Sequence, residues 1–321
     1  YLSPQDALDV IPALPKIWDE PFADSSQIPT LLLSKMTRDH VTVALSGDAG
    51  DELFCGYNRY AKGYKLHQKF LNLPLPIRHT VAKTIQAIPV NILDQGLKLL
   101  PHKLRYPALA DKLNKLGNVF LSADGPDFYR AVISQFQDPE LFAVGSYEPD
   151  TLLARSEKWP LLDDFRETMM YLDMQTYLPG DILTKVDRAS MAFSLEARAP
   201  FLDHNLIEYA WKIPLSVKLR NGQTKWPLRQ ILERYVPQKL VDRPKMGFSI
   251  PIEHWLRGKL WHWADTLLDE KKLKEDGFFD VKKVRKMWDE HSSGKRSWHS
   301  QLWTILMFQA WLDSGRAESE V

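Results

Sequence analysis

The residues best suited to chemistry lie in one short segment, residues 46–52, whose sequence is Ser-Gly-Asp-Ala-Gly-Asp-Glu. The segment directly follows residues 41–45, an apolar and β-branched run that is typical of a strand. A glycine-bearing turn at the carboxyl end of a strand is where many α/β proteins bind a nucleotide. Gly47 and Gly50 would let a ligand approach the backbone, and Ser46 offers a hydroxyl group. The pattern therefore predicts a nucleotide site at the end of this strand.

Three acidic side chains in this segment, Asp48, Asp51 and Glu52, could hold a metal ion or orient a reacting group. A helix is predicted to follow the turn, over residues 50–60. Acids in the first turn of a helix are also favoured by the helix dipole, without any further function. Because short motifs often occur by chance, the segment alone leaves both interpretations open.

Four ordered blocks of sequence between residues 19 and 257 carry a resemblance to a known family. The first block is residues 19–26 (Asp-Glu-Pro-Phe-Ala-Asp-Ser-Ser), and the second is residues 45–60, which contain the segment above. The third is residues 178–192 (Leu-Pro-Gly-Asp at the start, Lys-Val-Asp-Arg-Ala-Ser further on), continued by residues 195–203 (Leu-Glu-Ala-Arg-Ala-Pro-Phe-Leu-Asp). The fourth is residues 243–248 (Arg-Pro-Lys-Met-Gly-Phe), preceded by residues 225–229 (Lys-Trp-Pro-Leu-Arg). Together they closely resemble the asparagine synthetase family. Four blocks in order are far more specific than any single motif.

The resemblance implies an ATP-dependent carbon–nitrogen ligase of asparagine biosynthesis. In this family ATP activates the β-carboxylate of aspartate as β-aspartyl-AMP, pyrophosphate leaves, and ammonia derived from glutamine displaces AMP to give asparagine. The implied cofactors are ATP and Mg²⁺, and the implied partners are aspartate and the ammonia that a glutaminase domain releases. Cations are needed because both the attacked phosphate and the leaving pyrophosphate carry negative charge.

The resemblance also implies a fold. We expect an α/β protein, mostly helical in this chain, in which strand 41–45 belongs to an incomplete parallel sheet of the ATP-pyrophosphatase (adenine nucleotide alpha-hydrolase-like) type, with helical additions. Three regions are predicted: residues 1–64 as the remainder of the nucleotide-binding domain, residues 65–160 as a helical insertion, and residues 161–321 as the helical C-terminal part. Since one strand cannot satisfy its own backbone, strand 41–45 must pair with another segment.

Two features of the family's enzymes do not occur in this sequence. There is no Ser-Gly-Gly-x-Asp-Ser loop for pyrophosphate, and residue 1 is tyrosine where the glutaminase domain has its cysteine nucleophile. The one cysteine, Cys55, lies inside the nucleotide motif. We therefore expect the chain to correspond to the C-terminal synthetase part and to be inactive by itself, whether an engineered truncation, proteolysis or a truncated gene is the cause.

The resemblance assigns roles within the first motif. Ser46 and Gly47 would contact the nucleotide, and Asp51 would hold the Mg²⁺–pyrophosphate unit. Asp48 would be catalytic, at a position where many relatives have glutamate, although aspartate reaches one methylene less far. Ala49 stands where relatives usually have glycine, so the turn is either right-handed at this residue or slightly strained.

Two lysines match family lysines that bind pyrophosphate, Lys225 and Lys245. Two ammonium groups would converge on one point only with an anion between them. Lys245 is expected to be catalytic as well, because the segment after it, which contains Gly247, is of the kind that closes over a substrate. The alternative is that both are ordinary surface lysines.

The acceptor's α-amino and α-carboxylate groups also require partners. Asp187 and Arg188 are candidates for binding the substrate, since arginine suits a bidentate grip on a carboxylate. Being adjacent, they are expected to point in different directions. Asp24 and Ser25, after a proline-marked loop, could line the same pocket.

A helix is predicted over residues 182–195, and Glu196 and Arg198 follow directly. Arg188 and Glu196 would lie two turns apart and could share a helix face. The alternative to a binding role for these charges is a structural network of ion pairs beneath the site.

Composition excludes several other classes of protein. The chain has 321 residues and a net charge of +1, which gives no electrostatic case for nucleic acid or an anionic membrane as main partner. No apolar run is long enough to span a bilayer. One cysteine allows no internal disulfide, which fits a reducing, cytoplasmic location. The histidines show no metal-binding spacing typical of zinc.

Two rival functions stay open. The helical body could serve assembly only, for example as a homodimer, without catalysis. Alternatively, the enzyme could act on a carboxylate other than free aspartate, such as a sugar acid in polysaccharide modification.

Overall fold

A computed structural model describes residues 3–87, 117, 119–241 and 250–319. The chain divides into two compact units. The first comprises Tyr1–Trp18, Asp24–Leu66 and Glu157–Ile250, and the second comprises Asp19–Ala23, His67–Ser156 and Pro251–Val321. The three regions predicted from the sequence, 1–64, 65–160 and 161–321, stay a prediction.

The described residues are mostly helical. In chain order the α-helices are α1 (Pro4–Asp9), α2 (Leu14–Trp18), α3 (Gln27–Arg38), α4 (Gly50–Leu53), α5 (Tyr64–Leu71), α6 (Leu75–Ala87), α7 (Gly125–Ile133), α8 (Phe165–Gln175), α9 (Thr184–Met191), α10 (His204–Lys212), α11 (Leu215–Lys218), α12 (Trp226–Leu232), α13 (Gln238–Val241), α14 (Ile252–Leu256), α15 (Trp261–Leu267), α16 (Glu270–Asp276), α17 (Val281–Ser292) and α18 (His299–Ser319). Two π-helical turns, Arg59–Gly63 and Leu178–Leu183, run directly into α5 and α9. Among the described helices, none is both long and apolar enough to cross a membrane.

The first unit contains a small parallel sheet of two strands, β1 (Val43–Leu45) and β2 (Glu196–Arg198). Val43 pairs with Glu196 and Leu45 with Arg198. The strand predicted at 41–45 does therefore pair with another segment, as its backbone requires. Together with the helices, this confirms the predicted class, a mostly helical α/β fold.

Two helix predictions are wrong in their C-terminal ends. The helix predicted over 182–195 stops at Met191, because Ser194 takes a positive φ of 54° and the chain then extends into β2. The helix predicted over 50–60 stops at Leu53, because Cys55 takes a positive φ of 55°. In both places a left-handed residue turns the backbone out of the helix, and local helix propensity is overridden.

One face of the sheet is open. Leu45 is 75% exposed and Val43 is 43% exposed, and both lie on the same face because strand side chains alternate. Parallel sheets are normally covered on both faces. On this face β1 presents apolar side chains, whereas the β2 residues paired with them, Glu196 and Arg198, are charged and exposed.

An apolar cluster supports the segment that follows β1. Its buried members Leu53 and Phe54 pack with Leu178 and Ala210, and Phe201 lies against them. α4 is only one turn long, so this burial rather than its own hydrogen bonds holds it in place. Truncating Leu53 to alanine would cost about 2–5 kcal/mol at such a site.

The second unit is built around α18. Leu302, Trp303, Ile305 and Leu306 are almost completely buried. The helix packs against α14, α15 and α17. It is buried on several sides, which explains why its sequence is apolar around most of its circumference.

Candidate functional site

The turn after β1 is held by the sheet and by its own backbone. The Ser46 amide donates a hydrogen bond of 2.8 Å to the Arg198 carbonyl, which extends the pairing with β2 by one residue. Ala49, at the N-cap of α4, has a φ of 69°. Of the two conformations predicted for this alanine, the strained left-handed one is therefore present, at a cost of roughly 1–2 kcal/mol.

The predicted nucleotide-contacting residues differ in exposure. Gly47 is exposed, and a Cβ atom built on it would have open space for 4 Å around it. Asp48 is half-buried. The hydroxyl of Ser46 is shut off from solvent and has no hydrogen-bond partner among the residues described. A buried hydroxyl without a partner is unusual in proteins, so this side of the turn can still accept or donate one bond.

Asp51 and Lys225, two predicted site residues, form an ion pair. Lys225 Nζ lies 2.9 Å from Asp51 Oδ2, and the side chains are 30% and 24% exposed. Lys225 is the N-cap of α12 with a φ of 53°, and its amide donates to the Phe54 carbonyl at 3.1 Å. This backbone hydrogen bond to Phe54, the residue directly after α4, therefore fixes the position of the Lys225 backbone, from which its side chain extends to Asp51.

Gly56 is a site residue that the sequence analysis missed. Its amide donates to the Asp51 carbonyl at 2.7 Å. A Cβ atom at position 56 would overlap both Asp51 Oδ1 and Lys225 Cε. Only glycine at position 56 leaves enough space for the Asp51 and Lys225 side chains to come into contact. The signal that could have found it is a third glycine in the motif over residues 45–60, directly after Cys55, that no predicted turn required.

Glu52 points inward and does not face the nucleotide turn. It is 1% exposed and accepts a hydrogen bond of 2.8 Å from the Tyr57 hydroxyl. Burial is the main cause that raises the pKa of the Glu52 carboxyl above its usual value. Glu52 therefore supports α4 structurally. The sequence predicted either a metal-binding or orienting role, or a first-turn acid favoured by the helix dipole, and neither includes this buried hydrogen bond to Tyr57.

A buried ion pair lies beside this glutamate in the same unit. Arg59 Nη2 is 2.7 Å from Asp173 Oδ2, and the Tyr60 hydroxyl donates to the same oxygen. The Arg59 guanidinium lies 4.1 Å from the centre of the Tyr57 ring and 4.9 Å from that of Tyr177. These residues carry no sequence motif for a buried cation, so only the structure reveals the network.

Asp187 and Arg188 lie on α9 and are exposed. Arg188 Nη1 donates to Asp187 Oδ2 at 2.9 Å, so the two side chains meet instead of pointing apart as predicted. They are 57% and 53% exposed. Both are therefore free to reorient toward a ligand, and a binding role stays a prediction.

The predicted sharing of a helix face by Arg188 and Glu196 is wrong, because Glu196 belongs to β2. Glu196 instead pairs with Arg198 on the same strand face, at 3.3 Å. These side chains are 55% and 65% exposed, so their ion pair lies at the surface and not beneath the site. An exposed pair of this kind contributes little to stability.

Lys245 lies outside the described residues, as do residues 242–249 in general. Its predicted place on the pyrophosphate, next to Lys225, therefore stays a prediction.

The acidic residues can be compared with what Mg²⁺ requires. Over the described ranges, no group of three or more His, Cys, Asp or Glu side chains could hold a metal ion. Mg²⁺ usually binds through one or two carboxylates together with substrate phosphates. Asp51 offers one such carboxylate, next to a cation and an open turn. The residues thus fit a metal that arrives with a nucleotide, and not a metal held by protein alone.

A family model described as asparagine synthase matches residues 1–313. The chain belongs to the asparagine synthase family. It is 32% identical over 310 residues to asparagine synthetase (glutamine-hydrolyzing) 1 of Bacillus subtilis, a match that covers 97% of this chain and 46% of that protein. It is 35% identical over 307 residues to a putative asparagine synthetase (glutamine-hydrolyzing) of Mycobacterium tuberculosis, covering 94% and 44%. It is also 23% identical over 257 residues to amidase chyE of Penicillium rubens, covering 75% and 37%.

The match to the asparagine synthase family confirms the resemblance read from the four sequence blocks. The chain spans about half the length of the curated relatives it matches, since the shares of those two synthetases are 46% and 44%. The family match covers residues 1–313 of the chain, whereas the curated relatives are polypeptides about twice as long.

Proposed function

We propose that this chain provides part of the ATP site of an asparagine-forming ligase. The enzyme would activate the β-carboxylate of aspartate as β-aspartyl-AMP, and ammonia from glutamine would then displace AMP. The observation that carries the proposal is the Asp51–Lys225 ion pair beside the open turn after β1, in a chain of this family.

The charges of the pair suit the leaving group of this reaction. Pyrophosphate needs cations near it as it departs. Lys225 would supply one positive charge and Lys245 a second, while Ser46 and Gly47 would contact the nucleotide. Asp48, which is half-buried, would act on the acyl-adenylate. Asp51 would pass from Lys225 to the metal when the nucleotide binds.

Mg²⁺ would be held by Asp51 and by phosphate oxygens, and when bound it would neutralise charge on the pyrophosphate. Asp187 and Arg188 would bind the α-amino and α-carboxylate groups of the acceptor. The chain by itself is expected to be inactive, because it spans about half of the relatives' length. The location proposed for the enzyme is the cytoplasm.

A second acceptor class also has support. One relative carries the name amidase and not asparagine synthetase. The same activation chemistry would serve any carboxylate, including a sugar acid. The choice between acceptors depends on side chains such as Arg188, whose exposed position suits more than one substrate.

The test uses the complete gene product with ATP, Mg²⁺ and one acceptor at a time. We expect aspartate to stimulate release of pyrophosphate and AMP, and asparagine to form when glutamine or ammonia is added. Asp51→Asn and Lys225→Met should each lower this rate at least about 100-fold, as removal of groups that stabilise a transition state does. Lys212→Met, which changes an exposed lysine of α10, is the control.

Two results would count against this function. Pyrophosphate release that ignores aspartate but responds to another carboxylate would move the enzyme to the second acceptor class. Unchanged activity in Asp51→Asn would show that Asp51 does not belong to an ATP site.

For Lys245, the expected result is that Lys245→Ala abolishes pyrophosphate release and leaves glutamine hydrolysis intact.

A further inference from the structure

A second charged cluster of the first unit includes Asp24, for which the sequence predicted a place in the acceptor pocket. Lys185, in the first turn of α9, lies with its Nζ 2.6 Å from Asp24 Oδ2 and 3.7 Å from Asp181 Oδ1. The lysine side chain is only 9% exposed. Lysines are rarely buried to this extent unless they are paired. We call Asp24, Asp181 and Lys185 the Lys185 cluster.

Asp24 is itself held in place by the start of α3. The Ser26 amide donates to Asp24 Oδ1 at 2.9 Å, and the Ser26 hydroxyl donates to Asp24 Oδ2 at 2.6 Å. α3 begins at the next residue, Gln27, and packs against α9. The bond from Lys185 to Asp24 therefore joins α9 to a turn that is already rigid.

We propose that Lys185 is a positioning residue: it holds α9 against the turn before α3, and so fixes where Asp187 and Arg188 are presented to the acceptor. The inference rests on the function proposed above. Asp187 and Arg188 lie two and three residues beyond Lys185 on the same helix. Recognition of a carboxylate by arginine depends on small displacements, on the order of 0.5 Å. Without the lysine, Asp24 and Asp181 would face each other as like charges, which favours a shift of α9.

The third member of the cluster makes this positioning sensitive to pH. Burial, and after it the charge of Asp24, raises the pKa of Asp181 to about 7, while Lys185 acts in the opposite direction. The groups that face Asp181 are Asp24 before α3, Lys185 on α9 and Tyr177 before the π-helical turn. Below this pH, Lys185 balances one carboxylate. Above it, two carboxylates share one ammonium group, and the cluster carries an extra negative charge near the residues that would bind an anionic acceptor.

The first experiment compares Lys185→Met, Lys185→Arg and the control Lys212→Met in the complete gene product. We expect Lys185→Met to raise KM for aspartate at least about tenfold with little change in KM for ATP, since it disturbs acceptor binding and not the nucleotide turn. Lys185→Arg should restore part of the loss because it keeps a positive charge beside Asp24. An unchanged KM for aspartate in Lys185→Met, or a loss that falls only on kcat and is not rescued by arginine, would overturn the proposal.

The second experiment tests the role of Asp181. In the unaltered protein, KM for aspartate should rise a few-fold between about pH 6 and about pH 8, as the carboxyl ionises. In Asp181→Asn this step should be absent, because the amide does not titrate. If Asp181→Asn keeps the same step, the pH dependence belongs to another group and this part of the proposal is wrong.

Hydrogen–deuterium exchange separates this proposal from the proposed function. If the unaltered protein releases no pyrophosphate with any acceptor, the proposed function fails, yet the positioning can still be measured. Amides of residues 184–191 should exchange at least about tenfold faster in Lys185→Met than in the unaltered protein or in Lys212→Met. Unchanged exchange over α9 would show that Lys185 does not position this helix, whatever the activity.

Discussion

Lys225 Nζ lies 2.9 Å from Asp51 Oδ2, and both side chains pass the bare Cα of Gly56. Lys225 comes from a distant part of the chain, and the bond from its amide to the Phe54 carbonyl helps to hold it beside Asp51 and Gly56. A carboxylate and an ammonium group are thus kept in contact next to the turn that ends β1. The contact between Asp51 and Lys225 requires that residue 56 has no side chain, because a Cβ atom there would occupy the same space.

The first prediction concerns Gly56→Ala. Its Cβ would collide with Asp51 and Lys225, so we expect the ion pair to separate and the protein to lose about 1–3 kcal/mol of stability through overpacking. In the complete gene product, kcat/KM for ATP should fall at least about tenfold. The control is Gly180→Ala, where a Cβ meets nothing within 4 Å. Similar kinetics for the two variants would contradict the assigned role of Gly56.

The second prediction concerns Ala49→Gly. The left-handed φ of 69° costs an alanine roughly 1–2 kcal/mol, and the greater freedom of glycine in the unfolded chain offsets about 0.4–1 kcal/mol of the relief. We therefore expect the free energy of unfolding to rise by up to about 1.5 kcal/mol. Urea denaturation at neutral pH measures it. A clear loss of stability would mean that Ala49 does not hold this conformation in solution.

The third prediction compares two aspartates that each bind an arginine. Asp173 is completely buried, so Asp173→Asn should leave the Arg59 charge poorly balanced and cost about 3–5 kcal/mol. Asp187 is 57% exposed, and Asp187→Asn should change stability by less than about 0.5 kcal/mol. Denaturant unfolding of both variants under the same conditions provides the comparison. Equal effects would show that burial does not separate the two ion pairs.

The fourth prediction concerns the pH dependence of stability in the second unit. Burial, followed by the charges of Arg257 and His299, lowers the pKa of His291 to about 3. Because the folded pKa lies below the unfolded value of 6.5, the unfolded state binds the extra proton. Stability should therefore be complete above about pH 6.5 and fall, by up to about 1.4 kcal/mol per pH unit, as the pH drops toward 3.

The variant His291→Gln tests this assignment. It should lose stability at neutral pH, because the ring is buried and its Nδ1 accepts a bond from the Trp298 amide. Its stability should then decline less steeply than that of the unaltered protein between about pH 6.5 and pH 4. Parallel curves for the two proteins over this range would assign the acid sensitivity to other groups.

The family, the class of fold and the segment on which the site is built can all be predicted from the order of the amino acids. Four motifs in order identify the asparagine synthase family, and a β-branched run before a glycine-rich turn predicts a strand that ends in a site. These are local features, so they can be read from neighbouring residues. The same locality explains the two helices predicted too long, since nothing nearby shows that Cys55 and Ser194 adopt left-handed conformations.

Which distant residues meet could not be predicted and is known from the folded chain alone. The pairing of β1 with β2, the contact of Asp51 with Lys225 and the bond of Lys185 to Asp24 all join segments that are far apart in the chain. Their geometry follows from packing and from backbone hydrogen bonds between elements, which have no period or spacing in the sequence. Gly56 shows the same principle most clearly, because its importance lies in the space that the Asp51 side chain and the distant Lys225 side chain require.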